Sequence, residues 1–164
     1  MIRIVKYFFG FVFLLLVISF IMGWFGVGNI RMSDTVSGRL VSIFDEDIRV
    51  VEKGSGPDVL LIHGTPGSIE DMHPLIDSLA KDHHVIAYDR PGHGYSSANK
   101  APRNLAHNTQ MAHAIIDHFD LEKVLLIGHS YGGIIAMNMA VQGNDKVDQM
   151  IIMGAPLFLS LIHI

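Results

Sequence analysis

The sequence predicts an α/β fold, a doubly wound and mostly parallel sheet behind an N-terminal transmembrane helix. Three observations carry this prediction. Short continuous apolar runs at 59–62, 85–88, 124–127 and 150–153 read as strands buried on both faces, the pattern that parallel sheets require. Helical windows lie between them, so strand and helix alternate, and parallel neighbours then need right-handed crossovers. Ahead of them, residues 7–27 form 21 consecutive positions without a charge.

At 1.5 Å per residue that uncharged block makes a helix of roughly 31 Å, the thickness of a hydrocarbon core. Arg3 and Lys6 precede it, whereas Arg31, Asp34 and Arg39 follow with little net charge. The positive-inside rule therefore puts the N-terminus in the cytoplasm and the remainder outside. Tyr7 and Trp24 stand near its two ends, where amphipathic rings favour the membrane interface. A cleaved signal peptide is the rival, leaving a secreted protein, but its apolar region is shorter and Gly26-Val27-Gly28 offers a poor cleavage site. The preferred reading is a signal anchor over 1–30, with residues 7–27 in the lipid bilayer.

Past the anchor, ten basic residues face all sixteen acidic ones, a net charge of −6. That sign disfavours nucleic acid as a partner. The chain has no cysteine, which excludes disulfides, thiolate metal sites and a cysteine nucleophile. Runs at 39–44 and 48–53 flank Asp45-Glu46-Asp47 and suggest a hairpin. Ser68 with Asp71 resembles a capping box, and Met72, Leu75, Ile76 and Leu79 follow at helical spacing, so a helix is expected over about 69–81. Ala112, Ile115, Ile116 and Phe119 mark a second helix over about 105–119, and a third is expected over about 131–142.

Gly128-His129-Ser130-Tyr131-Gly132 fits G-x-S-x-G between a buried strand and an apolar helix, the context that this motif needs. A sharp strand-to-helix turn strains the central residue, and flanking glycines let the chain fold back tightly. Ser130 would then stand exposed at the carboxyl edge of the sheet. The helix N-terminus behind it favours a developing oxyanion.

Together with His63-Gly64-Thr65-Pro66-Gly67 after the third strand and Asp89-Arg90-Pro91-Gly92-His93-Gly94 after the fourth, this motif resembles the α/β-hydrolase fold superfamily over about 36–157. The resemblance implies that Ser130 is the nucleophile and that the N–H groups of Thr65 and Tyr131 form the oxyanion hole. His63, Gly64, Gly128, His129 and Gly132 would support the motifs. Relatives that open epoxides or carbon–halogen bonds usually carry aspartate at this elbow, so serine points to acyl transfer on ester-like or related carbonyl substrates. The Thr65-Pro66 bond resembles a segment in which a cis peptide is often found.

His63, His93 and His129 are expected to shape loops. Asp89-Arg90 resembles a structural pair at a strand end. His107, His113 and His118 spread around a helix and read as solvated residues rather than metal ligands. Tyr131 and Met72 fit a substrate pocket or the core equally well. No cofactor or metal is implied, the partner expected besides lipid is a small acyl substrate, and no feature specifies an oligomeric state.

The family order of serine, acid, histidine places both partners of Ser130 downstream. There, Asp145 and Asp148 precede the last strand, at its wrong end, and His163 lies in a tail. Leu159-Ser160-Leu161-Ile162-His163-Ile164 is what CTG-TCT-CTT-ATA-CAC-ATC encodes, a run resembling the transposase end of sequencing-library adapters. The expectation is therefore a hydrolase portion at 31–158, truncated after about the sixth strand, and a non-native tail at 159–164. Such a chain would lack the triad acid and histidine, show little turnover, and expose apolar sheet to aggregation. Two other uses of the fold stay open: a non-catalytic binding module, and carbon–carbon hydrolase, lyase or perhydrolase chemistry on the same elbow.

Overall fold

The computed structural model describes residues 2–27, 36–97 and 103–155, with side chains in the first span at Tyr7 and over 10–21. The expected tail at 159–164, His163 and most of the connector after the anchor lie outside the described residues. The chain divides into two units, Met1–Asp34 and Thr35–Ile164.

In the first unit a single helix, α1, spans Ile2–Val27. Its described apolar side chains are exposed in every direction, Phe11, Phe13, Leu14, Leu16 and Phe20 among them. Side chains are described continuously over 10–21, about 18 Å of helix. Among the described residues no helix is long and apolar enough to cross a membrane. The expected spanning segment at 7–27 is thus a helix whose membrane role rests on sequence.

The second unit is a six-stranded sheet in the order β1-β2-β4-β3-β5-β6. β1 (Arg39–Ile43) and β2 (Glu46–Lys53) form the expected hairpin. Its turn is tighter than the sequence suggested: Phe44 and Asp45 both take positive φ, 54° and 59°, and two-residue turns of that kind match the twist of the strands. Glu46 and Asp47 therefore belong to β2. β2 pairs antiparallel with β4 (His84–Tyr88). The remaining pairs are parallel, linking β4, β3 (Asp58–Ile62), β5 (Val124–His129) and β6 (Val147–Met153).

Alternation along β3 explains why the central strands read as continuous apolar runs. Leu60 and Ile62 pack with Met111, Ile115, Ile135 and Met139 on one face. Val59 and Leu61 pack with Ile69, Met72 and Ile76 on the other. Each fully buried aliphatic side chain contributes about 1.5–3 kcal/mol. Met72 is therefore a core residue. The first face is covered by α3 (Leu105–His118) and α4 (Tyr131–Gln142), close to their expected bounds.

The helix expected over 69–81 is instead a 3-10 turn, Ile69–Met72, followed by α2 (His73–Leu79). Ser68 and Asp71 do form the capping box. Pro74 in the first turn of α2 lacks an N–H, which favours a fresh start to the helix there over continuation of the preceding turn.

Two of the three α3 histidines are paired rather than solvated. His107 Nε2 lies 3.0 Å from the buried Glu46 carboxylate, and the Asn144 amide donates to His113 Nδ1 at 2.7 Å. Helical periodicity could not show this, because both partners are remote in sequence. β1 and β6 are the edge strands among the described residues, and Met150 and Ile151 of β6 are exposed.

Candidate active site

The site gathers at the carboxyl ends of β3, β4 and β5. β5 runs to His129, and α4 begins at Tyr131, so a single residue makes the turn. That residue, Ser130, has φ 52° and ψ −117°, a strained conformation that persists only when its surroundings enforce it. The enforcement is visible on both sides. Ser130 N–H donates to Met153 O at 2.8 Å, and Ser130 O accepts from Gly133 N–H at 3.0 Å.

Gly132 explains why the helix can start so close to the sheet. A Cβ at that position would stand 2.1 Å from Ile62 O, the last carbonyl of β3. At Gly64 a Cβ would meet Ser130 Cβ at 2.8 Å, so the loop after β3 lies directly against the elbow. A Cβ at Gly128 would collide with the backbone of Gly132 at 2.4 Å. The Thr65-Pro66 peptide is cis, as expected.

Because Met153 takes the Ser130 N–H, the first free donor of the elbow is the Tyr131 N–H. Among the described residues neither it nor the Thr65 N–H has a hydrogen-bond acceptor. Ser130 itself is half-buried. Among the described residues no histidine or carboxylate hydrogen-bonds to its hydroxyl. Asp145 and Asp148 lie at the start of β6, whereas Met153, opposite His129, lies at its end. They are on the far side of the sheet from Ser130, as expected.

His63 is structural. It is 1% exposed, and its Nε2 accepts the Arg90 backbone N–H at 2.9 Å. The proton must therefore sit on Nδ1, which donates to Gly64 O at 2.8 Å. Burial, and then the Arg90 charge, push its pKa down to about 3. His93 is lowered by the same two causes in the same order. His129 is exposed and reaches towards Gly64 and Gly154, a lining position beside the elbow.

The expected Asp89-Arg90 pair does not form. Successive residues of an extended chain point to opposite faces. Asp89 turns to one side, accepting from Ile69 N–H at 2.7 Å, Tyr95 N–H at 2.9 Å and Arg49 Nη1 at 3.1 Å. Arg90 turns to the other, onto the His63 loop and the Tyr131 ring. The sequence reading missed both Arg49 and the reach of Arg90. Their one signal was an arginine inside, or just past, a strand otherwise buried. Among the described residues no group of three or more His, Asp or Glu side chains is placed to hold a metal.

The chain belongs to the alpha/beta hydrolase fold family, which it matches over residues 57–163. It is 36% identical over 103 residues to (E)-2-((N-methylformamido)methylene)succinate hydrolase of Acinetobacter baylyi, covering 63% of this chain and 39% of that enzyme. An esterase from Exiguobacterium antarcticum superposes with a TM-score of 0.68 at 25% identity, covering 74% of this chain and 46% of the esterase. Epoxide hydrolase A of Mycobacterium thermoresistibile superposes with a TM-score of 0.66 at 30% identity, covering 71% and 38%. The chain thus spans less than half the length of each of these relatives.

The neutral state of His63 has a measurable consequence. Its folded pKa lies below the unfolded value near 6.5, so its stabilisation is full above about pH 6.5 and is lost as pH falls towards 3. In urea unfolding, the stability advantage of wild type over His63→Gln should narrow as the pH is lowered from 7 to 4. A gap that does not vary with pH would contradict this.

Proposed function

We propose that the full-length protein is a membrane-anchored serine hydrolase that passes ester-like or other acyl substrates through an acyl-enzyme at Ser130. The observation that carries this reading is the elbow itself. Ser130 projects from a strained turn whose own N–H is occupied, beside the N–H groups of Thr65 and Tyr131, which have no acceptor among the described residues. In the chemistry this suits, Ser130 Oγ bonds to the acyl carbon, the carbonyl oxygen takes the displaced electron pair, and the two N–H groups stabilise that charge. The tetrahedral centre then collapses, the leaving-group bond breaks, and water releases the acyl group in a second cycle.

The hydroxyl proton needs a base, since free serine is a weak nucleophile. A histidine and its acid from the remainder of the full-length protein fill these roles. Relatives named as hydrolases of a succinate-derived substrate and as an esterase support carbonyl chemistry. Serine at the elbow weighs against epoxide opening, for which the family resemblance implies aspartate at that position.

For the anchor, support comes from the uncharged block at 7–27, the preceding Arg3 and Lys6, and an α1 exposing apolar side chains all round. A helix of that kind suits lipid rather than water. On this reading the N-terminus is cytoplasmic and the hydrolase unit lies outside.

A fluorophosphonate probe applied to the full-length protein should label it, and Ser130→Ala should abolish the label. A folded wild type that resists the probe would count against the hydrolase and favour a binding module of the same fold. The anchor has its own test. The full-length protein should stay with membranes through carbonate extraction and be released when residues 1–30 are deleted. Release of the undeleted protein by carbonate would rule out a spanning helix.

A further inference from the structure

Two buried arginines sit at this end of the sheet, with different partners. Arg49 meets two carboxylates, Asp89 at 3.1 Å and Glu70 at 2.6 Å. Arg90, 1% exposed, meets none among the described residues. Its Nε donates to His63 O at 3.1 Å, one Nη to Asn108 Oδ1 at 3.3 Å, and the other to Gly64 O at 3.0 Å and to Thr65 Oγ1. That second Nη also lies 3.2 Å from His93 Nε2, and the guanidinium carbon stands 4.9 Å from the centre of the Tyr131 ring.

A buried cation without a counter-charge is costly, and folds rarely retain one without return. The contacts of Arg90 indicate what that return is. Besides His63, Asn108 and His93, they fall on Gly64, Thr65 and Tyr131, the residues that carry or adjoin the two N–H groups beside Ser130 that have no acceptor among the described residues. Those groups lie 66 residues apart in sequence, one in the loop after β3 and one at the start of α4, and the Arg90 side chain touches both segments.

We propose that Arg90 is the positioning residue of the oxyanion hole. Its fork holds the Thr65 arm by hydroxyl and carbonyl while its face holds the Tyr131 arm by the ring, fixing the separation of the two donors. Its uncompensated charge adds a positive potential behind them. This rests on the Ser130 reading above. A planar guanidinium suits the task because it hydrogen-bonds through its edge and stacks through its face at the same time, which an ammonium cannot do.

The test compares a p-nitrophenyl ester with its thionoester in the full-length protein. Sulfur in the carbonyl position is a longer and weaker acceptor, so the ester gains more from a well-set hole, and the ratio of the two rates reports on it. Arg90→Met should lower kcat on the ester by about tenfold or more, leave KM nearly unchanged, and reduce the thionoester rate much less. Arg90→Lys, keeping charge but not the fork, should fall between. Thr65→Val removes only the hydroxyl that Arg90 grips and retains the backbone N–H. It should lower the ester-to-thionoester ratio in the same direction, and it decides the matter if Arg90→Met fails to fold. Loss of both activities in equal proportion, or a wild-type ratio in Thr65→Val, would mean that Arg90 is only a strut. A wild type without hydrolysis that depends on Ser130 would overturn the site reading itself, and this inference with it.

Discussion

The geometry of the site depends on how closely the start of α4 approaches the end of β3. With Gly132 pressed onto the Ile62 carbonyl, the chain leaving β5 has one residue in which to reverse. That residue can do so only at positive φ, a region costly for any side chain other than glycine. The strain at Ser130 is therefore a consequence of packing. It is held by the sheet, by the Met153 carbonyl and by the first turn of the helix. The same approach leaves the Tyr131 N–H at a helix N-terminus, without an acceptor among the described residues, where the helix dipole favours negative charge.

Electrostatics divides this end of the sheet into two halves along one strand. Tyr88 and Arg90 face the α3 and α4 side, while Asp89 faces the 3-10 turn. On the Asp89 side, charge is neutralised within the protein and the fold gains rigidity. On the Arg90 side no carboxylate among the described residues meets the cation, and burial, then that charge, lower the pKa of both His63 and His93. The unengaged N–H groups lie on that side.

Much of this was legible in the chain. The apolar runs of β3, β4 and β5 were clear because strands buried on both faces must be apolar throughout, and α4 was clear because a glycine-flanked serine fixed where it starts. The elbow, the Thr65-Pro66 cis bond and the capping box at Ser68 are local patterns and were read locally. The 3-10 break before α2 was signalled by Pro74 but outweighed by helical spacing. What stayed hidden were long-range polar contacts: Arg49 with Asp89, 40 residues on, and Arg90 with His63, 27 residues back. Sequence adjacency even suggested the wrong pair, Asp89 with Arg90, since neighbours in an extended strand cannot face each other. His107 with Glu46 was hidden for the same reason of distance.

The central proposal is that Ser130 and the N–H groups of Thr65 and Tyr131 act on one carbonyl group, the serine at its carbon and the two donors at its oxygen. A crystal structure of the full-length protein phosphonylated at Ser130 tests it most directly. The account predicts the phosphoryl oxygen within about 3.1 Å of both nitrogens, the range of oxyanion-hole hydrogen bonds. A phosphoryl oxygen turned away from either donor, or an adduct on a different residue, would contradict it.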